Sequence, residues 1–243
     1  MTGRTTRMRT LAVGPARFRF GPWQGRDDTA QLVPLTPAPT LRPDVIDTVL
    51  RRLGAAGYEL VYTAAVGAAE ARCLAERGFA EHEHLHLLRH TRLDTVAAAD
   101  PSRPWRVRRA RSRDRDAVLA IDRAAFEPFW ALDELALTEA LAATPRSRFR
   151  LARARRPVAY AIAGLAGDIA YLQRLAVHPD AQGRGLGAVL AVDALRWAAR
   201  RGAHAAYVNT QRTNARALEL YERLGFVRDG ELVVLRAEPG RRA

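Results

Sequence analysis

Leu175-Ala-Val-His-Pro-Asp-Ala-Gln-Gly-Arg-Gly-Leu-Gly187 is the stretch on which the reading of this chain turns. It starts as a strand and passes through Gly183, Gly185 and Gly187 into a helical pattern, Leu186–Arg200. The apolar positions of that pattern, Leu186, Val189, Leu190, Ala194, Trp197 and Ala198, recur at helical spacing. Glycines allow a turn tight enough for successive N–H groups to face a diphosphate, and the positive end of the following helix adds to the attraction. Arg184 brings a full charge to the same turn. Dinucleotide folds and nucleotide kinases also use glycine-rich turns. Here, however, the spacing is not G-x-G-x-x-G, and no G-K-[ST] is present.

Working outward, the spacing predicts a strand at Trp105–Ala110, then a helix opened by Asp114 and Asp116 that runs to about Phe126. A second helical pattern covers Leu132–Ala143. Strands follow at Arg148–Arg153, Val158–Leu165 and Asp168–Val177. Beyond the glycine turn and its helix come a strand at His204–Asn209, a helix at Asn214–Leu224 and a final strand pair around Phe226–Arg236. Strands outnumber helices and the two are mixed in order, which predicts an α/β fold: a twisted mixed sheet with helices on both faces. Asn214 and Tyr221 are seven residues apart, two helical turns, so they share one helix face about 10 Å apart along the axis.

Gln182–Gly187 (QGRGLG) matches the Q/R-x-x-G-x-G/A signature of the GCN5-related N-acetyltransferases (GNAT), with their L-A-V-x-P strand before it. Their second motif resembles Asn214-Ala-Arg-Ala-Leu-Glu-Leu-Tyr-Glu-Arg-Leu-Gly-Phe226. The likeness covers about 130 residues. It implies a GNAT fold with a splayed central strand pair and acetyl-CoA as co-substrate, with no metal. It also implies transfer of the acetyl group to a primary amine of a small molecule, peptide or protein by direct attack. In such proteins the strand here written Leu175-Ala176-Val177 pairs its freed backbone with the pantetheine arm. The turn and helix start, Gln182, Gly183, Arg184, Gly185, Leu186, Gly187 and Ala188, hold the diphosphate. Asn214 and Ala217 border the arm, and Tyr221 protonates the departing thiolate. Tyr221 as a half-buried packing residue and Asn214 as a helix cap are the structural alternatives. A regulator or scaffold that binds acetyl-CoA without transferring it is the alternative for the whole protein, and Tyr221 argues against it.

The general base is less legible. Tyr171 and Gln173 stand where some relatives place a glutamate, and Glu127, Asp133 and Glu134 lie near the loop that covers the acceptor in the family. Glu127 is the candidate chosen, against the reading of an exposed charge at a helix end. Phe126, Pro128, Phe129 and Trp130 in the same loop fit an apolar acceptor pocket or core packing equally.

The first half reads as a worn copy of the second. An offset of 145 sets Gly57 on Gly202, Tyr62 on Tyr207 and helix Asp44–Leu53 on Val189–Ala198; past a two-residue deletion, Gly78-Phe79 falls on Gly225-Phe226. The predicted organisation is a degenerate GNAT-like domain at 1–93 with no cofactor site, a linker at 94–104 and a catalytic domain at 105–243. Gly183, Gly185 and Gly187 fall on Ala38, Thr40 and Arg42, among Pro37, Pro39 and Pro43, which lack N–H donors. Tyr221 falls on Leu74. A monomer with pseudo-dimeric halves or a homodimer fits this plan.

Composition narrows the classes further. Of 243 residues 48% are hydrophobic and 27% charged, and apolar runs are too short to span a bilayer, which makes a cytoplasmic protein the default expectation. The lone Cys73 excludes an internal disulfide and a cysteine-rich metal site, and it reads as a structural thiol rather than a nucleophile. His82, His84 and His86 alternate on one strand face with His90 beyond, a polar face or domain contact in preference to a metal row. The net charge is +13 and every basic residue is arginine. Arg103, Arg106, Arg108, Arg109, Arg111, Arg113 and Arg115 form the densest cluster. Phosphates, RNA and an acidic protein are its possible ligands, and a solvated strand in an arginine-biased chain is preferred over nucleic-acid binding.

Overall fold

The computed structural model describes residues 7–97 and 105–240. In chain order its strands are β1 (Arg9–Val13), β2 (Ala16–Trp23), β3 (Arg26–Pro34), β4 (Leu60–Thr63), β5 (Ala80–His90) and β6 (Arg106–Arg109). They continue as β7 (Arg146–Arg153), β8 (Pro157–Ala166), β9 (Ile169–Val177), β10 (Ala205–Gln211) and β11 (Val227–Ala237). The α-helices are α1 (Pro43–Ala55), α2 (Ala68–Ala75), α3 (Arg115–Ala125), α4 (Glu134–Ala142), α5 (Leu186–Ala199) and α6 (Ala215–Arg223). Two compact units result, one of residues 1–86 with 230–243 and one of 87–229.

The division differs from the boundary expected at 94–104. The second half of β11 pairs antiparallel with β4, Arg236 opposite Tyr62, so the chain's end belongs with the first unit. From residue 98 the expected linker lies outside the described residues, as does Arg103. The final strand pair is a single strand: Gly230 sits inside β11 and makes no turn.

In the first unit β1, β2 and β3 form an antiparallel meander, and β4 joins β3 in parallel. Helix α1 connects them, burying Val45, Ile46, Val49 and Leu53 against Phe18, Leu32 and Val61. The element order repeats that of the second unit from β7 onward. The paired glycines agree in backbone as well: Gly57 and Gly202 have φ of 88° and 81°, Gly78 and Gly225 of 83° and 92°. Each is a left-handed stop after a helix, where a side chain would be strained.

In the second unit β6, β7, β8 and β9 pair antiparallel in sequence, and β10 joins β9 in parallel. One core cluster packs α5 on the sheet through Leu186, Leu190, Ala194 and Trp197. A second, separate cluster packs α3 and α4 through Val118, Ile121 and Leu137 against Leu151, Tyr160 and Ile162. Helices therefore cover both faces of this sheet, as the mixed order of elements predicts. Among the described residues no helix is long and apolar enough to cross a membrane, and no group of three His, Cys, Asp or Glu could hold a metal ion.

Candidate active site

Strands β9 and β10 run side by side for three residue pairs only. Ile169, Ala170 and Tyr171 face Ala205, Ala206 and Tyr207, and the two tyrosine rings stack with centroids 6.2 Å apart. Past that point β9 continues to Val177 and β10 to Gln211 without pairing to each other. The cause is visible in β9. On its other edge Ile162 faces Arg174 while Ala163 faces Leu172, so Gln173 is an extra, bulged residue. A bulge bends and twists its strand, and this one lies immediately after the last β9–β10 pair. Alternate backbone groups of Leu172–Val177 consequently have no strand partner on that side.

The end of β9 leads to the glycine turn. A 3-10 turn at Pro179–Ala181 ends at Gln182, then Gly183 and Gly185 take φ of 74° and 79°. Nothing crowds Gly183, so it is there for its backbone angle. Gly187 has a different function from that expected of a turn glycine: it lies inside α5, and a Cβ there would come 3.1 Å from Leu220 and 3.9 Å from Leu175 and Val177. It lets α6, β9 and the first turn of α5 approach one another. Leu186 is buried, so only its backbone faces the turn; Arg184 is exposed and Ala188 half-buried. The Gln182 amide donates to the Val177 carbonyl at 3.0 Å and accepts from Arg216 of α6, tying the strand end to the facing helix.

Asn214 caps α6, its Oδ1 accepting from the Ala217 N–H at 3.1 Å. Its amide nitrogen remains as the donor, and Ala217 offers a methyl group rather than an N–H. Tyr221, two turns on, is buried with its ring against Phe226, centroids 5.7 Å apart. Burial pushes its hydroxyl pKa far above the ordinary phenol value, a rise opposed in part by the positive charge of Arg174. The group is a phenol, not a phenolate, at neutral pH.

Sequence reasoning missed the most heavily bonded group of this unit. Asp122 of α3 is fully buried and binds Arg174 of β9 through both oxygens, at 2.8 and 2.7 Å. It also accepts from the Tyr160 hydroxyl of β8 and, at 2.6 Å, from the Leu132 N–H. Arg174 donates to the Trp130 carbonyl at 2.7 Å, and its guanidinium lies 3.6 Å from the centre of the Phe126 ring. The segment 126–132 is thereby fastened to the bulged strand. The available signal was a carboxylate in register with Val118 on the apolar face of α3, which a buried position tolerates only when paired.

The acid–base candidates separate clearly. Asp133 caps α4 through the Ala136 N–H at 2.7 Å, and Glu134 pairs with Arg115, so both have structural partners. Glu127 is exposed. Gln173 and Thr144 reach into the space left by Gly164, where a Cβ would lie 2.6 and 2.3 Å from their tips. The Gln173 Oε1 is buried and without a hydrogen-bond partner. Phe126 packs on the α3–α4 core, whereas Phe129 and Trp130 are half-buried with rings 5.0 Å apart.

Comparison with known proteins agrees with this geometry. Residues 115–226 match the model of the acetyltransferase (GNAT) family. A GCN5-related N-acetyltransferase from Kribbella flavida superposes over 97% of this chain and 91% of its own, with a TM-score of 0.69 at 19% identity. A tandem GNAT protein from the clavulanic acid biosynthesis pathway covers 94% of this chain and 80% of its own, with a TM-score of 0.72 at 13% identity. At these identities the likeness is one of fold. A mycothiol acetyltransferase from Rhodococcus opacus is 46% identical over 54 residues, which span 22% of this chain and only 18% of that protein. The splayed pair, the left-handed glycine turn and the family match coincide in one segment, and residues 115–226 are a domain of the acetyltransferase (GNAT) family.

Proposed function

We propose that the second unit is an N-acetyltransferase that moves the acetyl group of acetyl-CoA to a primary amine of a small molecule, peptide or protein. The observation that carries this reading is the splay of β9 from β10, opening directly onto the left-handed turn at Gly183 and Gly185. The backbone groups of Leu175–Val177 that point away from β8 suit an amide-bearing arm, and N–H groups from Gly183 to Ala188 at a helix start suit a diphosphate. Gln182, Asn214 and Ala217 would line the same slot. When bound, acetyl-CoA supplies an activated thioester. Tyr221, kept protonated by burial, holds the proton that the departing sulfur needs. The attacking amine must be neutral, and in this reading the proton it loses on acylation passes to solvent water, the buried Gln173 amide not being basic enough to take it. In this reading the first unit holds no acetyl-CoA and serves as a structural partner in a cytoplasmic enzyme.

The test is an acetyl-transfer screen of the purified full chain against a broad panel of amines, with Tyr221→Phe as the control. Acetylated product formed by the parent and strongly reduced in the variant supports the reading. A melting temperature raised by acetyl-CoA with no transfer to any amine would leave the regulator or scaffold instead.

A further inference from the structure

A second concave site lies in the same unit, away from the glycine turn. It is a cavity of about 760 Å³ whose wall includes Arg109, Arg111, Arg115, Arg148, Arg150 and Arg201. We propose that this cavity is a binding site for a small phosphate-rich anion, independent of the acetyl-CoA slot and of the reaction proposed above.

Strand β6 ends at Arg109 and its last hydrogen bond runs from the Ala110 N–H to the Phe149 carbonyl, so β7 has no β6 neighbour at residues 146–148 and the cavity forms at that edge. Arg109 lies directly opposite Arg150 in the β6–β7 ladder, and Arg148 shares its face. Like charges facing each other across a sheet destabilise it. Asp193 of α5 is bonded to this face, and two guanidinium groups share it. Arg148 takes it in bidentate fashion at 2.7 and 2.9 Å, leaving the Arg150 Nε 3.1 Å away and not aligned to donate. Burial lowers the Arg150 pKa from its ordinary value, the mark of a charge only partly compensated. Arg201 enters from the end of α5 beside Trp197, with its guanidinium 5.1 Å from the ring centre. Across the edge Arg115 is met by Glu134, whereas the Arg111 and Arg109 side chains are exposed. Six guanidinium groups thus line the cavity, three of them meeting the carboxylates of Asp193 and Glu134.

The concavity and volume fit a small ligand better than an extended nucleic acid, and guanidinium forks match phosphate oxygens. The site is not the diphosphate cradle. Arg201 follows the C-terminal end of α5, about 20 Å along that helix from Gly185.

The probe is inorganic tripolyphosphate, titrated by calorimetry into the full chain in the presence of saturating coenzyme A, which occupies the diphosphate cradle proposed at the glycine turn. One saturable event is expected, with inorganic phosphate binding more weakly. The double charge reversal Arg109→Glu/Arg201→Glu should weaken it at least about tenfold, the loss of one or two charge-assisted bonds. Without the anion this variant should melt no lower than the parent, since it removes the repulsion on Arg150. Arg184→Glu, at the glycine turn, should leave tripolyphosphate affinity within about twofold. Equal affinity in the double variant, or loss of binding in Arg184→Glu, would overturn the proposal. So would a short single-stranded RNA that binds through these arginines while tripolyphosphate does not.

Discussion

Strands β3 and β4 in the first unit and β9 and β10 in the second are the same construction, two parallel strands joined through a helix. They differ in where pairing stops. Thr29, Ala30, Gln31 and Leu32 face Leu60, Val61, Tyr62 and Thr63, and the Ala64 N–H still donates to the Leu32 carbonyl at 2.8 Å, so β4 is paired along its whole length. The β9–β10 ladder ends after three pairs, beside the bulge at Gln173. The helix starts differ in the same sense. Helix α5 is entered through a left-handed Gly185, whereas α1 is entered from an extended Arg42 into Pro43, which has no N–H to offer. One framework can therefore satisfy or expose its strand edge according to a bulge and two left-handed glycines, and a strand-like ligand needs exposed backbone groups to pair with.

The largest expected effect concerns the proposed proton donor. Tyr221→Phe should lower kcat by about a hundredfold or more while leaving acetyl-CoA affinity unchanged, as read by steady-state kinetics and calorimetry. The residue aligned with it in the first unit, Leu74, is fully buried. Leu74→Ala should cost about 2–5 kcal/mol of stability in denaturant titration, with kcat per folded molecule unchanged. If Leu74→Ala abolished turnover in folded protein, the division between a chemical and a structural unit would fail.

The Asp122–Arg174 pair comes next. Asp122→Ala strands a guanidinium that is 14% exposed, and should cost about 3–5 kcal/mol in urea unfolding. Asp122→Leu combined with Arg174→Met should recover much of that loss. A loss that the double variant does not reduce would mean that the pair is not the energetic unit.

At the glycine turn the expected effect is smaller. Gly185→Ala places a side chain at φ 79° and should cost about 1–2 kcal/mol, with a reduced rise in melting temperature on adding acetyl-CoA. Thr40→Ala, at the aligned position of the first unit, should leave that rise untouched, and calorimetry should count one acetyl-CoA per chain. A stoichiometry near two would place a slot where β3 and β4 are paired.

The smallest effects are in pH. Burial holds the His90 pKa below its ordinary value, so the unfolded chain takes up a proton that the folded unit refuses. Stability should be complete above about pH 6.5 and decline below it, and His90→Phe should flatten that decline. Asp114, hydrogen-bonded by Arg108, is lowered from 3.8 to about 2. Its contribution is present above the unfolded value and is lost as pH falls through the folded one, a step that Asp114→Asn should remove from the melting-temperature profile.

Local rules carried much of this molecule. The period of Leu186, Leu190, Ala194 and Trp197 specifies α5, and the glycines at 183 and 185 specify the turn before it, because helix pitch and left-handed φ are properties of a few adjacent residues. The repeat was readable for the same reason: Gly57 and Gly78 stop their helices as Gly202 and Gly225 do. The assignment of Leu232–Ala237 to the first unit was not, since a strand's partner is chosen by burial against residues more than a hundred positions away. Nor were the splay, which needs the bulge and the neighbouring strand together, or the buried Asp122 with partners on β8, β9 and the segment before α4. Backbone angle and periodicity are written in neighbouring residues. Pairing, burial and the compensation of a charge depend on which distant groups come together, and tertiary structure alone decided those.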